Sequence, residues 1–173
     1  AYFQAYTNTY APVSILREKY YQAIEEDGVV ALSVATRPDS ISEEALDLLE
    51  EINSKVYTFI ELGLQTSDKE TAVRINRGYP LSVFEDTLKR IRKRNIDVVV
   101  HIIFGLPGED KEKMLSTVRY LSSLDIQGVK FHLLHLLENT PLVSLYNAGE
   151  LRFLTQEEYI DIVTDAIGIL PPD

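Results

Sequence analysis

The feature that most constrains this chain is a regular alternation of apolar, β-branched stretches with segments of helical periodicity. Runs of valine, isoleucine and aromatic residues predict strands, and apolar residues three or four apart predict amphipathic helices. The predicted strands are 2–6, 29–35, 58–64, 98–104 and 129–137, and the predicted helices are 15–26, 42–54, 69–75, 82–94, 111–124, 143–147 and 155–170. A helix in every gap between strands predicts a parallel sheet and an α/β fold. Five such units are too few for a closed eight-stranded barrel, which takes about 250 residues. The sequence is therefore compatible with an open α/β sheet or with part of a barrel.

Composition narrows the class of protein. The chain has 173 residues, of which 45% are hydrophobic and 25% charged, and its formal net charge is −10. These values predict one soluble globular domain, and the negative charge argues against a nucleic-acid-binding surface. No apolar run approaches the roughly 20 residues that span a bilayer, and no signal peptide is visible, so we expect a cytoplasmic protein without a membrane partner. Because there is no cysteine, this chain supplies no disulfide and no thiolate ligand for a metal or cluster.

The segment 98–110 combines a strand, a turn and the start of a helix. A buried strand that contains His101 is followed by Gly105-Leu106-Pro107-Gly108, and Glu109 or Asp110 then stands at the expected helix N-cap. Parallel α/β proteins bind ligands at such strand ends, and glycine leaves the backbone accessible to a flat ligand. An ordinary tight turn between strand and helix is the alternative.

Polar side chains recur where the other predicted strands end. The candidates along this edge of the sheet are Arg37, Glu61, Gln65, His101 and Glu138, with Arg77 just beyond the third strand. Polar groups on apolar strands are costly to bury unless they are paired or contact a ligand. The sequence therefore predicts a ligand site at the carboxyl ends of the strands.

Structural roles are the alternatives for each of these residues. Glu61 could pair with Arg37 or His132, and His101 could be a core histidine that is hydrogen-bonded to a side chain of a neighbouring strand. Gln65 could cap the following turn.

Three further features favour structural interpretations. Arg77 could be a solvated loop arginine, and the basic segment 89–94 is expected to be a solvated helix face. His132 and His135 lie three residues apart on the fifth predicted strand and so face opposite sides. We therefore predict no metal site in this chain.

Taken together, the strand-end motifs resemble the radical S-adenosylmethionine (SAM) superfamily. The branch that it resembles is that of uncharacterised iron–sulfur oxidoreductases related to elongator-type and coproporphyrinogen-oxidase-type enzymes. The motifs that carry the resemblance, in chain order, are Ala35-Thr36-Arg37-Pro38-Asp39, Glu61-Leu62-Gly63-Leu64-Gln65-Thr66, Asn76-Arg77-Gly78-Tyr79, His101 to Glu109 and Leu137-Glu138-Asn139-Thr140-Pro141-Leu142. Each is weakly specific alone, but five in register are specific.

The resemblance implies a partial parallel (β/α) barrel, similar to a fragment of a TIM barrel, with SAM across the strand ends and a [4Fe-4S] cluster. It implies that Gln65 contacts SAM, that Arg77 lies near the SAM carboxylate and that His101 points towards the ribose. It also implies that the backbone of Gly105, Leu106 and Pro107 lies beside the adenine. Glu61 and Thr36, in the same motifs, are further candidate cofactor-binding residues.

The chain departs from the family pattern in lacking the Cys-x3-Cys-x2-Cys signature that holds the cluster. We therefore expect residues 1–173 to be one domain, the later two-thirds of a radical SAM core that is truncated before residue 1 and lacks the first strands. The resemblance implies that the full-length parent is an enzyme, a radical SAM oxidoreductase or transferase that generates a 5′-deoxyadenosyl radical. The isolated chain is expected to be inactive.

The substrate is not indicated, and a small molecule, a tRNA and a protein are all compatible with the resemblance. An unpaired sheet edge near 2–6 predicts a homodimer or a larger assembly of copies of this chain. The alternative functions are a non-catalytic nucleotide-binding α/β domain and an aldolase- or isomerase-type barrel fragment.

Overall fold

The computed structural model describes residues 1–172 and has the predicted alternation of strands and helices. Its elements in chain order are β1 (Tyr2–Phe3), α1 (Val13–Ile24), β2 (Ala31–Thr36), a 3₁₀ turn (Pro38–Ser40), α2 (Glu43–Asn53), β3 (Tyr57–Gln65), α3 (Lys69–Arg74), α4 (Leu81–Arg92), β4 (Asp97–Phe104), α5 (Lys111–Ser122), β5 (Gly128–Leu133), α6 (Pro141–Asn147) and α7 (Gln156–Ile169). The predicted helices are all present, and their ends differ from the predictions by only one or two residues.

The strands form one five-stranded parallel sheet in the order β1-β2-β3-β4-β5. Tyr2 of β1 is paired with Ser33 of β2, and Ala35 of β2 is paired with Glu61 of β3. This confirms the predicted α/β class. Because successive residues of a strand point to opposite faces, the register places Ser33 and Glu61 on the same face of the sheet.

Two strands, the first and the fifth, end earlier than predicted. Strand β1 ends at Phe3, and Tyr6 adopts a positive φ of 62° and is fully exposed. Beyond Phe3, the side chain of Asn8 takes the place of backbone hydrogen bonds between β1 and β2. Its Nδ2 donates to the carbonyl oxygens of Phe3 and Ala35, both at 2.9 Å. Strand β5 ends at Leu133, so the expectation that His135 lies on that strand is wrong.

The chain divides into two compact units. Unit 1 comprises 1–64, 81–101 and 125–129, and unit 2 comprises 65–80, 102–124 and 130–173. The expectation of a single domain stays a prediction.

The core of unit 1 includes aliphatic side chains of β2, β3 and α2, such as Leu32, Ile60 and Leu49, which are fully buried, and the aromatic side chain of Phe84 from α4. Helix α2 begins where the sequence predicts, because the side chain of Ser42 accepts a hydrogen bond from the backbone N–H of Ala45.

The core of unit 2 contains Leu106, Leu134 and Leu151, against which partly buried side chains such as Ile103 and Phe153 pack. Asp110 is the N-cap of α5, and Thr155 forms the predicted capping box at the start of α7. Over residues 1–172, no helix combines the length and the apolarity that a membrane span requires.

The basic segment at the end of α4 is not a simple solvated face. Nη2 of Arg94 lies 2.7 Å from a carboxylate oxygen of Glu43 and 2.6 Å from one of Asp47, and Arg92 Nη1 lies 2.9 Å from Asp97. These ion pairs connect the end of α4 and the residues directly after it to α2 and to the start of β4. Arg92 and Arg94 are therefore half-buried and balanced by acids of the same unit, whereas Lys89 and Lys93 are exposed, as expected of a solvated helix face.

Candidate functional site

In unit 1, the sequence-predicted residues Glu61 and His101 form a cluster with two further side chains of neighbouring strands. Ser33 Oγ donates to Glu61 Oε1 at 2.9 Å, and the hydroxyl of Tyr2 donates to Oε2 at 2.7 Å. His101 Nε2 lies 2.6 Å from the same Oε2. Glu61 is only 7% exposed, and a buried carboxylate is costly unless it is hydrogen-bonded. Donors from three other strands offset that cost. We name this set, Tyr2, Ser33, Glu61 and His101, the strand cluster.

In the strand cluster, His101 has the structural role that the sequence analysis gave as its alternative to ligand binding. His101 is hydrogen-bonded to a side chain of the neighbouring strand, as expected of a satisfied core histidine. Arg37, one of the two partners considered for Glu61, forms two hydrogen bonds with Asp39, at 2.9 and 2.7 Å, and the pairing of Glu61 with His132 stays a prediction.

Sequence reasoning did not find Ser33 and Tyr2 as members of this cluster. A serine within the apolar strand 31–36 was a visible signal, because a hydroxyl that is buried in a strand needs a partner. Tyr2 gave no such signal, since tyrosine is common on the strands of half-buried sheets.

In unit 2, the predicted residues Gln65 and Arg77 are connected through Tyr79. Gln65, the last residue of β3, has a φ of 67°, a left-handed conformation that costs a non-glycine residue about 1–2 kcal/mol. The hydroxyl of Tyr79 lies 3.4 Å from Gln65 Oε1, and the guanidinium carbon of Arg77 lies 4.7 Å from the centre of the Tyr79 ring. Backbone strain at a polar strand end is typical of functional sites.

The expectation that Arg77 could be a solvated loop residue is wrong. The residue is 5% exposed, and its guanidinium donates to the carbonyl oxygens of Thr66 at 2.6 Å and Tyr79 at 3.1 Å. Burial lowers the pKa of Arg77, although the neighbouring Tyr79 acts in the opposite direction. Arg77 therefore holds together the loop that follows β3.

The turn after β4 is shaped by its own sequence. The backbone N–H of Glu109 donates to the carbonyl of Leu106 at 3.1 Å, and Gly108 has a φ of +82°. Proline in the second position and a positive-φ glycine in the third are typical of a type II turn. Leu106 and Pro107 are buried, whereas Gly108 is exposed.

The side of each glycine that would carry a Cβ is already covered. A Cβ at Gly105 would lie 3.4 Å from Leu154, and one at Gly108 would lie 2.8 Å from Nη1 of Arg74. Positive φ angles at both positions favour glycine whether or not a ligand lies there. That a ligand contacts the backbone of this turn stays a prediction.

The remaining candidates lie in other surroundings. Thr36 is buried and shares a hydrogen bond of 2.6 Å with Thr9, while His135 and Glu138 are exposed. Among residues 1–172, no three His, Cys, Asp or Glu side chains come close enough to bind a metal ion together.

Comparison of the sequence with known proteins places the chain in one protein family. The sequence model of the Radical SAM superfamily matches residues 3–121, and that of the Radical_SAM C-terminal domain matches residues 126–173. The uncharacterized protein YtqA of Bacillus subtilis is 46% identical over 173 residues, which are all of this chain and 54% of that protein. The chain thus spans about half the length of this relative.

Solved structures share the fold. The archaeal Elp3 of Methanocaldococcus infernus with an N-terminal deletion is similar over 98% of this chain and 45% of its own, with a TM-score of 0.80 and 22% identity. Coproporphyrinogen III oxidase (HemN) of Escherichia coli, a radical SAM enzyme, is similar over 94% of this chain and 37% of its own, with a TM-score of 0.70 and 18% identity.

Proposed function

The chain belongs to the radical SAM superfamily, and we propose that it forms the part of a radical SAM enzyme that binds SAM at the carboxyl ends of its strands. The observation that carries the proposal is Gln65, held in a left-handed conformation at the end of β3 with Tyr79 and Arg77 against it. A strained, half-buried amide at a parallel strand end is suited to hydrogen-bonding a ligand.

The polar groups of unit 2 fit the amino-acid end of SAM. Gln65 has an amide with two donors and one acceptor, and Arg77 is a neighbouring cation. We assign the SAM carboxylate and ammonium to this pair, and the adenine to the backbone of Gly105, Leu106 and Pro107. His101, Glu61 and Thr36 lie in unit 1, and their contacts with the cofactor stay predictions of the family resemblance.

When bound, SAM supplies a 5′-deoxyadenosyl radical after one-electron reduction by a [4Fe-4S] cluster. The residues of this chain do not fit the cluster itself, because the sequence has no cysteine to provide a thiolate. The chain's own contribution is to bind and orient SAM and to keep water away from it. We propose that the full-length protein is an enzyme and that residues 1–173 alone are inactive.

Binding of SAM by the full-length protein tests the proposal. Isothermal titration calorimetry is expected to show that Gln65→Ala weakens SAM binding about tenfold, as expected for the loss of one hydrogen bond to a charged group. Gln22→Ala, at an exposed position on α1, is the matched control and is expected to bind like wild type. Equal affinity of the Gln65→Ala variant and wild type, or no binding by wild type, would contradict the proposal.

A second measurement separates radical chemistry from simple nucleotide binding. Under anaerobic reducing conditions, the reconstituted full-length protein is expected to cleave SAM to methionine and 5′-deoxyadenosine. Tight binding without cleavage would instead support the non-catalytic nucleotide-binding alternative.

A further inference from the structure

Two loops of unit 2 are joined by a group of side chains that the proposed function does not use. The hydroxyl of Thr66, in the loop after β3, donates to Glu109 Oε1 at 2.5 Å. The backbone N–H of Ser67 donates to the hydroxyl of Thr117 at 3.1 Å, and the hydroxyl of Ser67 lies 3.0 Å from that of Thr117. We name Thr66, Ser67, Glu109 and Thr117 the exit cluster.

The bond between Thr66 and Glu109 connects the two segments to which we assign SAM in this unit. Thr66 directly follows Gln65, and its carbonyl oxygen accepts the hydrogen bond from Arg77. Glu109 is the last residue of the Leu106–Glu109 turn. One hydrogen bond thus fixes the amino-acid-binding loop to the turn assigned to the adenine.

Helix capping does not account for Glu109. Asp110 already caps α5, since its side chain accepts from the backbone N–H of Lys113 at 2.9 Å. The Glu109 side chain turns instead towards Thr66 and Thr71 and is half-buried. Burial of a carboxyl group carries a desolvation cost, so its position calls for a role beyond the end of the helix.

The bonded hydroxyl is itself rigidly placed. Thr66 is 1% exposed, and its Oγ1 also accepts from the backbone N–H of Asp68 at 3.0 Å. Asp68 in turn caps α3 by accepting from the N–H of Thr71 at 2.8 Å. Glu109 therefore bonds to a group whose position is fixed by α3. This bond fixes the position of the Leu106–Glu109 turn relative to the same helix.

We propose that Glu109 is a positioning residue which, through Thr66, holds the Leu106–Glu109 turn at a fixed distance from Gln65 and Arg77. The inference rests on the proposed function and names the group that preorganises its binding surface. A ligand that contacts both segments gains affinity when they are held together before it binds, because no loop has to be ordered during binding.

The experiment uses the full-length protein and three variants of this bond. Glu109→Ala and Thr66→Val each remove it, whereas Glu109→Gln keeps an acceptor of nearly the same shape. Glu18→Ala, at an exposed site on α1, is the control. Thermal unfolding of each variant confirms that it is folded before the other measurements are made.

The first readout needs no ligand. Amide hydrogen exchange of 105–110 is expected to be about tenfold faster in Glu109→Ala and Thr66→Val than in wild type, and close to wild type in Glu109→Gln. Unchanged exchange in both the alanine and the valine variant would overturn the proposal, because the turn would then be held by other contacts.

The second readout is binding of S-adenosylhomocysteine, 5′-deoxyadenosine and methionine, measured separately. Glu109→Ala is expected to weaken S-adenosylhomocysteine binding about tenfold but to change the affinity for each fragment less than about threefold, because only the whole ligand contacts both segments. Loss of affinity for a fragment to the same extent, or unchanged S-adenosylhomocysteine binding, would overturn the positioning role. If wild type fails to bind S-adenosylhomocysteine at all, the proposed function itself is wrong.

Discussion

Glu61 is a buried and Glu109 a half-buried carboxyl group, and both accept hydrogen bonds from hydroxyls, but they belong to different kinds of structure. Glu61 lies within the sheet, and its partners in the strand cluster come from β1, β2 and β4. Glu109 lies in a loop, and its partner Thr66 lies in another loop. Removal of Glu61 leaves hydrogen-bond donors inside the sheet without their acceptor, so we expect it to lower the stability of the whole fold. Removal of Glu109 takes away a bond between two loops, so we expect it to change mainly the local order of those loops.

The largest expected effect is on stability in the strand cluster. Glu61→Ala leaves the Tyr2, Ser33 and His101 groups without this acceptor, and we expect the free energy of unfolding to fall by about 3 kcal/mol. Glu61→Gln keeps one acceptor oxygen and is expected to cost less. Urea-induced unfolding measures both values, with Glu18→Ala as the control. A loss of less than about 1 kcal/mol for Glu61→Ala would remove the distinction between the two carboxyl groups.

The turn next to Glu109 provides a backbone test of intermediate size. Gly108→Ala places a Cβ at a positive φ and against Arg74, and we expect it to destabilise the protein by about 1–2 kcal/mol. The control is Gly168→Ala in α7, where a Cβ meets nothing within 4 Å, and it is expected to stabilise by about 0.5 kcal/mol. Thermal unfolding compares the two. Equal effects would show that the conformation of this turn is not under strain.

The smallest expected effect is on the pH dependence of the free energy of unfolding, which depends in part on Glu109. Burial raises its pKa, and the nearby Asp68 acts in the same direction, whereas the hydroxyls of Thr66 and Thr71 and the ammonium of Lys113 lower it. Because the folded-state pKa lies above the unfolded value, the stability associated with the protonated form is fully present below the unfolded pKa and is lost as pH rises through the folded pKa.

Glu109→Gln removes this titration. Its free energy of unfolding relative to wild type is expected to increase as pH rises from 4 to 8, which chemical denaturation at several pH values measures. A difference that stays constant over this range would show that the Glu109 pKa is the same in the folded and unfolded states.

Much of the fold could be predicted because periodicity and caps are local properties. Helix α2 begins at its serine cap and α7 at its capping box, as the sequence indicates. The strand ends were less predictable. Residues 134–137 are as apolar as the strand before them, yet β5 ends at Leu133, because the limit of pairing depends on neighbouring strands rather than on the segment itself.

The candidate site was predictable where a polar residue stands in an apolar strand. Glu61 and His101 were found in this way, and they do contact each other. The role of Thr66 and Glu109 could not be read in the same way, since threonine and glutamate are ordinary residues in loops. The positive φ of Gly108 follows from the local Pro107-Gly108 turn, whereas the guanidinium of Arg74 beside this glycine is a tertiary feature that emerged only from the structure.

The most direct test of the central claim is amide hydrogen exchange of the full-length protein with and without SAM. We predict that SAM slows exchange in the segments 65–68 and 105–109 and leaves exchange in helix α1 of unit 1 unchanged. Saturating SAM that protects neither segment would contradict the assignment of the cofactor to these strand ends.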